Sequence, residues 1–284
     1  MNCIVSLSFV PFFIPFTAFF LLPLFQNVTS SLQRVGIRSS QWIGLANYEK
    51  LIADDVFFKA VTNTVVLVAA LVPIVMVVGI AIAAVCRPLS ARWQSWFRMS
   101  FYLPVVASAV VLTVVWKWIL NPIYGLLNYL LGLLGIAPIV WLGTTEWALI
   151  AVLIVVTSFS LGAPIILFMA GLNAIPHELY EAARIDGASP WQEFRNISLP
   201  LLRPTSSFVL IVTTIGTFQV FVVIQLLTKG GPANATQTIV YRIWETAFTL
   251  SDFGYAAAMS VILLAIALVI AVVQMRLVSR DVQY

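Results

Sequence analysis

Six long apolar stretches divide the chain, at residues 4–26, 60–85, 99–120, 147–172, 205–227 and 255–275, and the charged residues collect between them. A helix needs about 20 apolar residues to cross the hydrocarbon core. A chain in lipid must also close its backbone hydrogen bonds internally, so the pattern predicts an all-α polytopic membrane protein of six transmembrane helices. A seventh stretch, 122–142, is interrupted by Pro122, Gly125, Gly132, Gly135 and Pro138. If it spanned, the loop with Arg87, Arg92 and Arg98 would lie opposite the loop with Arg184, Arg195 and Arg203. If it does not span, both loops and the tail with Arg276 and Arg280 share one face, which the positive-inside rule makes cytoplasmic. That choice leaves Arg34, Arg38, Lys50, Lys59, Lys229 and Arg242 outside, spread over longer loops. Residues 121–146 are therefore expected to be an external loop with a short interfacial helix, and both termini to be cytoplasmic. Trp116, Trp118, Trp141 and Trp147 fall near the outer boundary and read as interfacial anchors.

Composition agrees with this reading. Of 284 residues 61% are hydrophobic and 9% charged, against about 25% charged in soluble domains. The net charge of +4 is confined to short loops, which argues against a nucleic-acid partner. Cys3 and Cys86 have no metal or CxxC spacing and read as small buried hydrophobes. The first run has no basic flank at Met1 and no small-residue cleavage site, so it is expected to be an uncleaved helix and not a signal peptide. The chain has no GxxxxGK[ST] phosphate loop, HExxH or GxSxG, and its single His177 reads as a solvated surface residue. No catalytic site and no cofactor of its own are expected.

The loop at 174–204 is longer than a connection needs and concentrates His177, Glu178, Glu181, Arg184, Asp186, Glu193, Arg195 and Arg203. It predicts two short helices at a sharp angle. Pro176 suits a first helical turn, Gly187 a left-handed C-terminal cap, and Ser189-Pro190 with Gln192 a capping box. Leu199-Pro200 is expected to close the second helix and Pro204 to open the next span. Ala182 and Ala183 give a small-residue face, and the alternation of Glu178, Glu181, Arg184 and Asp186 is unlike the basic face of a membrane-lying helix. A docking knob follows.

Glu181-Ala182-Ala183, three residues, Gly187, nine residues, then Ile197-Ser198-Leu199-Pro200 resembles the EAA motif of binding-protein-dependent ABC importer permeases. WIGLANYEKLI, FYLPVVAS, YGLLNYLLG and LTKGGPANATQTIVYRIWETAF extend the likeness over the chain, to the large-type permease of maltose and glycerol-3-phosphate importers. The short N-terminus departs from that family in lacking a basic cytoplasmic lead. The resemblance implies a bacterial inner-membrane permease of the type I fold, in which Glu181, Ala182, Ala183 and Gly187 touch a cytoplasmic ATPase while Ile197, Leu199 and Pro200 hold the loop to its own helices. It also implies two copies of that ATPase, which bind ATP and Mg²⁺, a second homologous permease and an extracytoplasmic solute-binding protein. Sugar contacts carried over by position are Gly162, Ile165, Phe218 and Gln219.

Polar groups inside a span are costly and are functional candidates by default. Ser158, Ser160, Gly162 and Pro164 interrupt the fourth run, and Thr213, Thr214, Thr217, Gln219 and Gln225 the fifth. Serines and threonines can bond back to helix carbonyls, whereas Gln219, an amide beside Phe218 and Phe221, offers hydrogen bonds and a ring face to a sugar. No Lys, Arg, Asp or Glu falls deep in any run, Lys117 lying near an outer end. That favours a neutral, hydroxyl-rich solute over an anion and argues against a proton-coupled carrier. The alternative, a secondary transporter or channel, usually carries inverted repeats, and none stands out here.

Overall fold

The computed structural model describes residues 13–35 and 40–278. Met1, Cys3, the start of the first run, Arg38 and the tail with Arg280 lie outside the described residues. Helix α1 (Phe13–Ser31) leads into an antiparallel ribbon of β1 (Gln33–Val35) and β2 (Ser40–Trp42), with Gln33 opposite Trp42, and then a short α2 (Ala46–Ile52). A long α3 (Asp55–Cys86) follows, then the pair α4 (Ala91–Val106) and α5 (Ala109–Ile119), a short α6 (Leu126–Leu133), and the pair α7 (Thr145–Ser160) and α8 (Gly162–Asn173). Next come α9 (His177–Ile185) and α10, the latter running from Pro190–Glu193 through a wide turn, Phe194–Ser198, into Leu199–Leu201. The chain ends with α11 (Arg203–Phe218), α12 (Val222–Leu227), α13 (Ile239–Trp244) and α14 (Phe253–Val278).

Four helical segments are long and apolar enough to span alone, Phe13–Ser31, Asp55–Cys86, Arg203–Leu227 and Phe253–Arg276, and each of two bent pairs supplies one more. The six expected spans are thus present, with corrections to their form. The third is not one helix over 99–120: it begins at Ala91 and turns by 94° between α4 and α5. Pro104 removes an N–H one turn before the break, Ala107 and Ser108 are extended, and the Ser108 hydroxyl restarts the helix by accepting the Val110 N–H at 3.3 Å. The fourth turns by 45° at Leu161, where Gly162 and Pro164 fall together. A Cβ on Gly162 would overlap the Phe101 carbonyl oxygen, so this glycine lets α8 approach α4. The fifth leaves helical geometry between Gln219 and Phe221, where the freed Val220 carbonyl accepts the buried Thr238 hydroxyl at 3.1 Å.

The seventh stretch does not span. It holds only α6, and Asn128 on that helix staples the loop. Its amide N–H groups go to the Pro122 and Ile139 carbonyls at 3.1 and 2.9 Å, while its Oδ1 accepts from the Ile139 N–H and the Trp141 indole at 3.2 and 2.9 Å. Trp141 is buried and packs edge-on against Trp147, so it is a structural donor in place of the interfacial anchor expected.

Two compact units divide the chain, one of residues up to Phe58 with Ile239–Ile266, the other of Lys59–Thr238 with the residues from Ala267. In the first, Asn47 fastens the ribbon by donating to the Ser31 and Gln33 carbonyls at 2.8 and 3.0 Å. Asp54 caps α3 through the Val56 and Phe57 N–H groups and also accepts the Tyr255 hydroxyl at 2.7 Å and Arg242 at 3.3 Å. In the second, Asn63 donates to the Asn234 and Gln237 carbonyls and so holds the segment before α13. There Gln274 donates to the Thr214 hydroxyl at 2.8 Å, an amide bond inside the membrane that apolar periodicity gave no reason to expect.

Burial alone would raise the Asp54 carboxyl, but the Tyr255 hydroxyl, the Phe57 N–H and Arg242 outweigh it and hold the group below its ordinary 3.8. A depressed carboxylate contributes stability that is fully present above the unfolded value and is lost as pH falls through the folded one. Asp54→Asn should therefore lower thermal stability in detergent at neutral pH by about 1.5–3 kcal/mol, the worth of a charge-assisted hydrogen bond. The gap between variant and wild type should close as pH drops below 3.8.

Candidate functional site

The loop between α8 and α11 is built on one aromatic anchor. Tyr180 on α9 is fully buried in a cluster with Ala83 and Cys86 of α3, Phe168 and Leu172 of α8, and Leu202. Its hydroxyl meets the buried Ser198 hydroxyl at 2.9 Å, and the Arg87 guanidinium lies over its ring at 3.5 Å. Cys86 is thus the buried hydrophobe expected of it. Gln94 ties the preceding loop to the same end of the unit, donating to the Arg87 and Leu89 carbonyls and accepting from Asn173.

With Tyr180 inward, the opposite side of α9 faces out: Glu181, Ala182 and Ile185 are exposed, Ile185 by 86%, and Ala183 is half-buried. His177 is exposed and sits 3.2 Å from Glu181. Pro176 precedes the first helical residue, with ψ at 135°, and does not open the turn.

The end of α9 forms as anticipated. Gly187 has φ +79°, its N–H reaches the Arg184 carbonyl at 3.0 Å, and the Ala188 N–H returns to Ala183 at 2.9 Å, the paired bonds of a Schellman cap. Open space surrounds its missing Cβ, so conformation and not crowding demands glycine here. Ser189 and Gln192 then exchange the two capping-box bonds at 2.7 and 3.4 Å. Arg184 spans the corner to the buried Glu193 with bonds of 2.9 and 3.4 Å. These contacts hold α9 and α10 as one bent unit.

Leu199-Pro200 does not close α10. The helix absorbs the missing Pro200 N–H by widening at Phe194–Ser198, where Leu199 N–H bonds back to Phe194, and ends only at Leu202. Pro204 does sit in the first turn of α11. Ile197 packs against the Tyr180 cluster, Leu199 lines a groove of about 1240 Å³ between the loop, α3 and α8, and Pro200 is exposed. The anchoring contacts of Tyr180, Ser198, Arg87 and Glu193 escaped the sequence reading. The available signal was Tyr180 as the one aromatic on α9.

The four residues nominated for solute do not form one exposed patch. Ile165 is fully buried in the Tyr180 cluster, Gly162 is the contact of α8 with α4, and Phe218 is 4% exposed. Gln219 alone is open, at the end of α11. Ser158, Thr157, Thr214 and Thr217 donate to carbonyls one turn back and are occupied.

Residues 57–283 match the family described as the binding-protein-dependent transport system inner membrane component. The chain belongs to this family. The permease is 35% identical over 280 residues to the probable ABC transporter permease protein YurN of Bacillus subtilis, covering 97% of this chain and 96% of that one. It is 36% identical over 268 residues to the multiple sugar-binding transport system permease protein MsmF of Streptococcus mutans, covering 92% and 90%. Its fold is that of a chain in a bacterial ABC transporter involved in the import of the acidic polysaccharide alginate, with TM-score 0.87 and 22% identity over 99% of this chain and 97% of the other. The permease is accordingly a multi-pass inner-membrane component of a binding-protein-dependent system.

Because Gly187 is demanded by its dihedral angle, side-chain size should matter less than tolerance of positive φ. Gly187→Val should cost about 1 kcal/mol or more and abolish uptake while the chain still inserts. Gly187→Asn, whose residue type visits that region, should retain most uptake. Equal loss in both variants, measured as uptake at matched membrane level, would assign the defect to something other than the cap.

Proposed function

We propose that this permease forms half of the translocation path of an ATP-driven carbohydrate importer and couples through α9 and α10 to a separate ATPase. The observation that carries this reading is the bent loop itself, whose inner side is anchored at Tyr180 while Glu181, Ala182 and Ile185 stand exposed. A loop lying on the membrane would instead bury that apolar edge and expose basic residues. Two ATPase subunits, holding ATP and Mg²⁺, would receive α9 at Glu181, Ala182, Ala183 and Gly187, since this chain has no phosphate loop. A second, homologous permease would complete the path, and an extracytoplasmic binding protein would deliver the solute.

A sugar is supported by the Streptococcus relative, named for multiple sugars, and by the absence of Lys, Arg, Asp or Glu deep in the apolar runs. Gln219 is the proposed solute contact, free to offer both donors and an acceptor at the break between α11 and α12. Gly162, Ile165 and Phe218 shape the path through helix packing in place of direct contact. The loop 174–204 and both termini would face the cytoplasm.

A reporter active only in the cytoplasm should be active when fused after Gly187 and silent after Gly135; the same result at both positions would sink this topology. Gln219→Leu should leave membrane level unchanged and weaken solute-dependent transport by about 1–2 kcal/mol, one neutral hydrogen bond. Unaltered transport kinetics over a range of solute concentrations would remove Gln219 from the path.

A further inference from the structure

A second cleft, of about 310 Å³, opens on the Lys59–Thr238 unit between the N-terminal halves of α3 and α7. Its mouth is charged with both signs: Lys59 on α3 and Glu146 on α7 line it and are exposed. Among the described residues neither has an ion-pair partner, and they do not pair with each other. The Asn63 amide donors beside them are already committed to backbone carbonyls. Below the mouth the walls turn apolar, with Val66, Leu149, Ile150 and Leu153. From Lys59 to the foot of the cleft at Ala70 the helix rises about 16 Å, the depth of a lipid headgroup and the upper part of its acyl chains.

We propose that this cleft seats the headgroup end of one membrane phospholipid with a zwitterionic, primary-amine headgroup, its phosphate at Lys59, its ammonium at Glu146 and the upper part of its acyl chains running out over the exposed Val66 and Ile150. An anionic lipid would meet the Glu146 carboxylate, and a water-soluble zwitterion would leave the apolar walls empty. A quaternary ammonium carries charge but no N–H, so it cannot donate to Glu146, and the site selects ethanolamine over choline headgroups. Val66 and Ile150 are 46% and 44% exposed, as expected of side chains that face acyl chains. The bilayer supplies the ligand at high local concentration, so two exposed contacts suffice.

The test uses the assembled transporter, purified and equilibrated with equal amounts of dioleoyl phosphatidylethanolamine and dioleoyl phosphatidylcholine, with retained lipid read by native mass spectrometry. Wild type should retain the ethanolamine lipid preferentially. Glu146→Gln should erase that preference, and Lys59→Ala should lower retention of both lipids by about two- to fivefold, the range of a partly exposed charge contact. Both side chains are exposed, so neither change removes a buried contact. Three results would overturn the proposal: no headgroup preference in wild type, unchanged retention in both variants, or cross-linking of Ile150→Cys to a second permease, which would mean that protein covers the cleft.

Discussion

Hydrocarbon offers no hydrogen bonds, and most of this structure follows from where the chain meets that constraint and where it departs from it. Within the spans the hydroxyls of Thr113, Thr157, Thr214 and Thr217 are silenced by bonds to carbonyls one turn back. Among the described residues, spans three, four and five break at Ala107–Ser108, Leu161 and Gln219–Phe221, and two of these breaks have an identified repair. Ser108 recaps α5, and Thr238 takes up the Val220 carbonyl. The breaks are therefore built features of the spans, and the last of them frees the amide best suited to meet a polar solute.

The six spans were legible in the apolar runs, the non-spanning 121–146 loop in the placement of charge, and the caps at Gly187 and Ser189 in the residues at the turns themselves. Hydropathy averages over a window, so it could not show that the third span breaks at Ala107 or that α4 begins in the basic segment at Ala91. Nor could it show the β1–β2 ribbon, whose three-residue strands rest on the distant Asn47. Pro200 misled for a different reason. Proline marks a helix end only if the preceding turn cannot widen, and the wide turn at Phe194–Ser198 lets the helix run on.

Side-chain roles were harder to read than elements. A small residue in a span serves packing or a solute equally well by its identity, and only its neighbours decide. At Gly162 the neighbour is the Phe101 carbonyl, and at Ile165 it is the Tyr180 cluster. The EAA residues were legible as an exposed face, whereas the anchor beneath them was not. Tyr180, Ser198, Arg87 and Glu193 acquire their meaning from partners up to a hundred residues away in the chain.

Tyr180 joins the outward-facing α9 to the cluster shared by α3 and α8. If α9 couples as proposed, motion imposed on it would pass to α3 and α8 through the fully buried ring. The most direct test compares ATP hydrolysis with solute uptake by the assembled transporter in proteoliposomes carrying Tyr180→Ala. The account predicts that hydrolysis continues while uptake per ATP falls sharply. Uptake per ATP equal to that of wild type would contradict it.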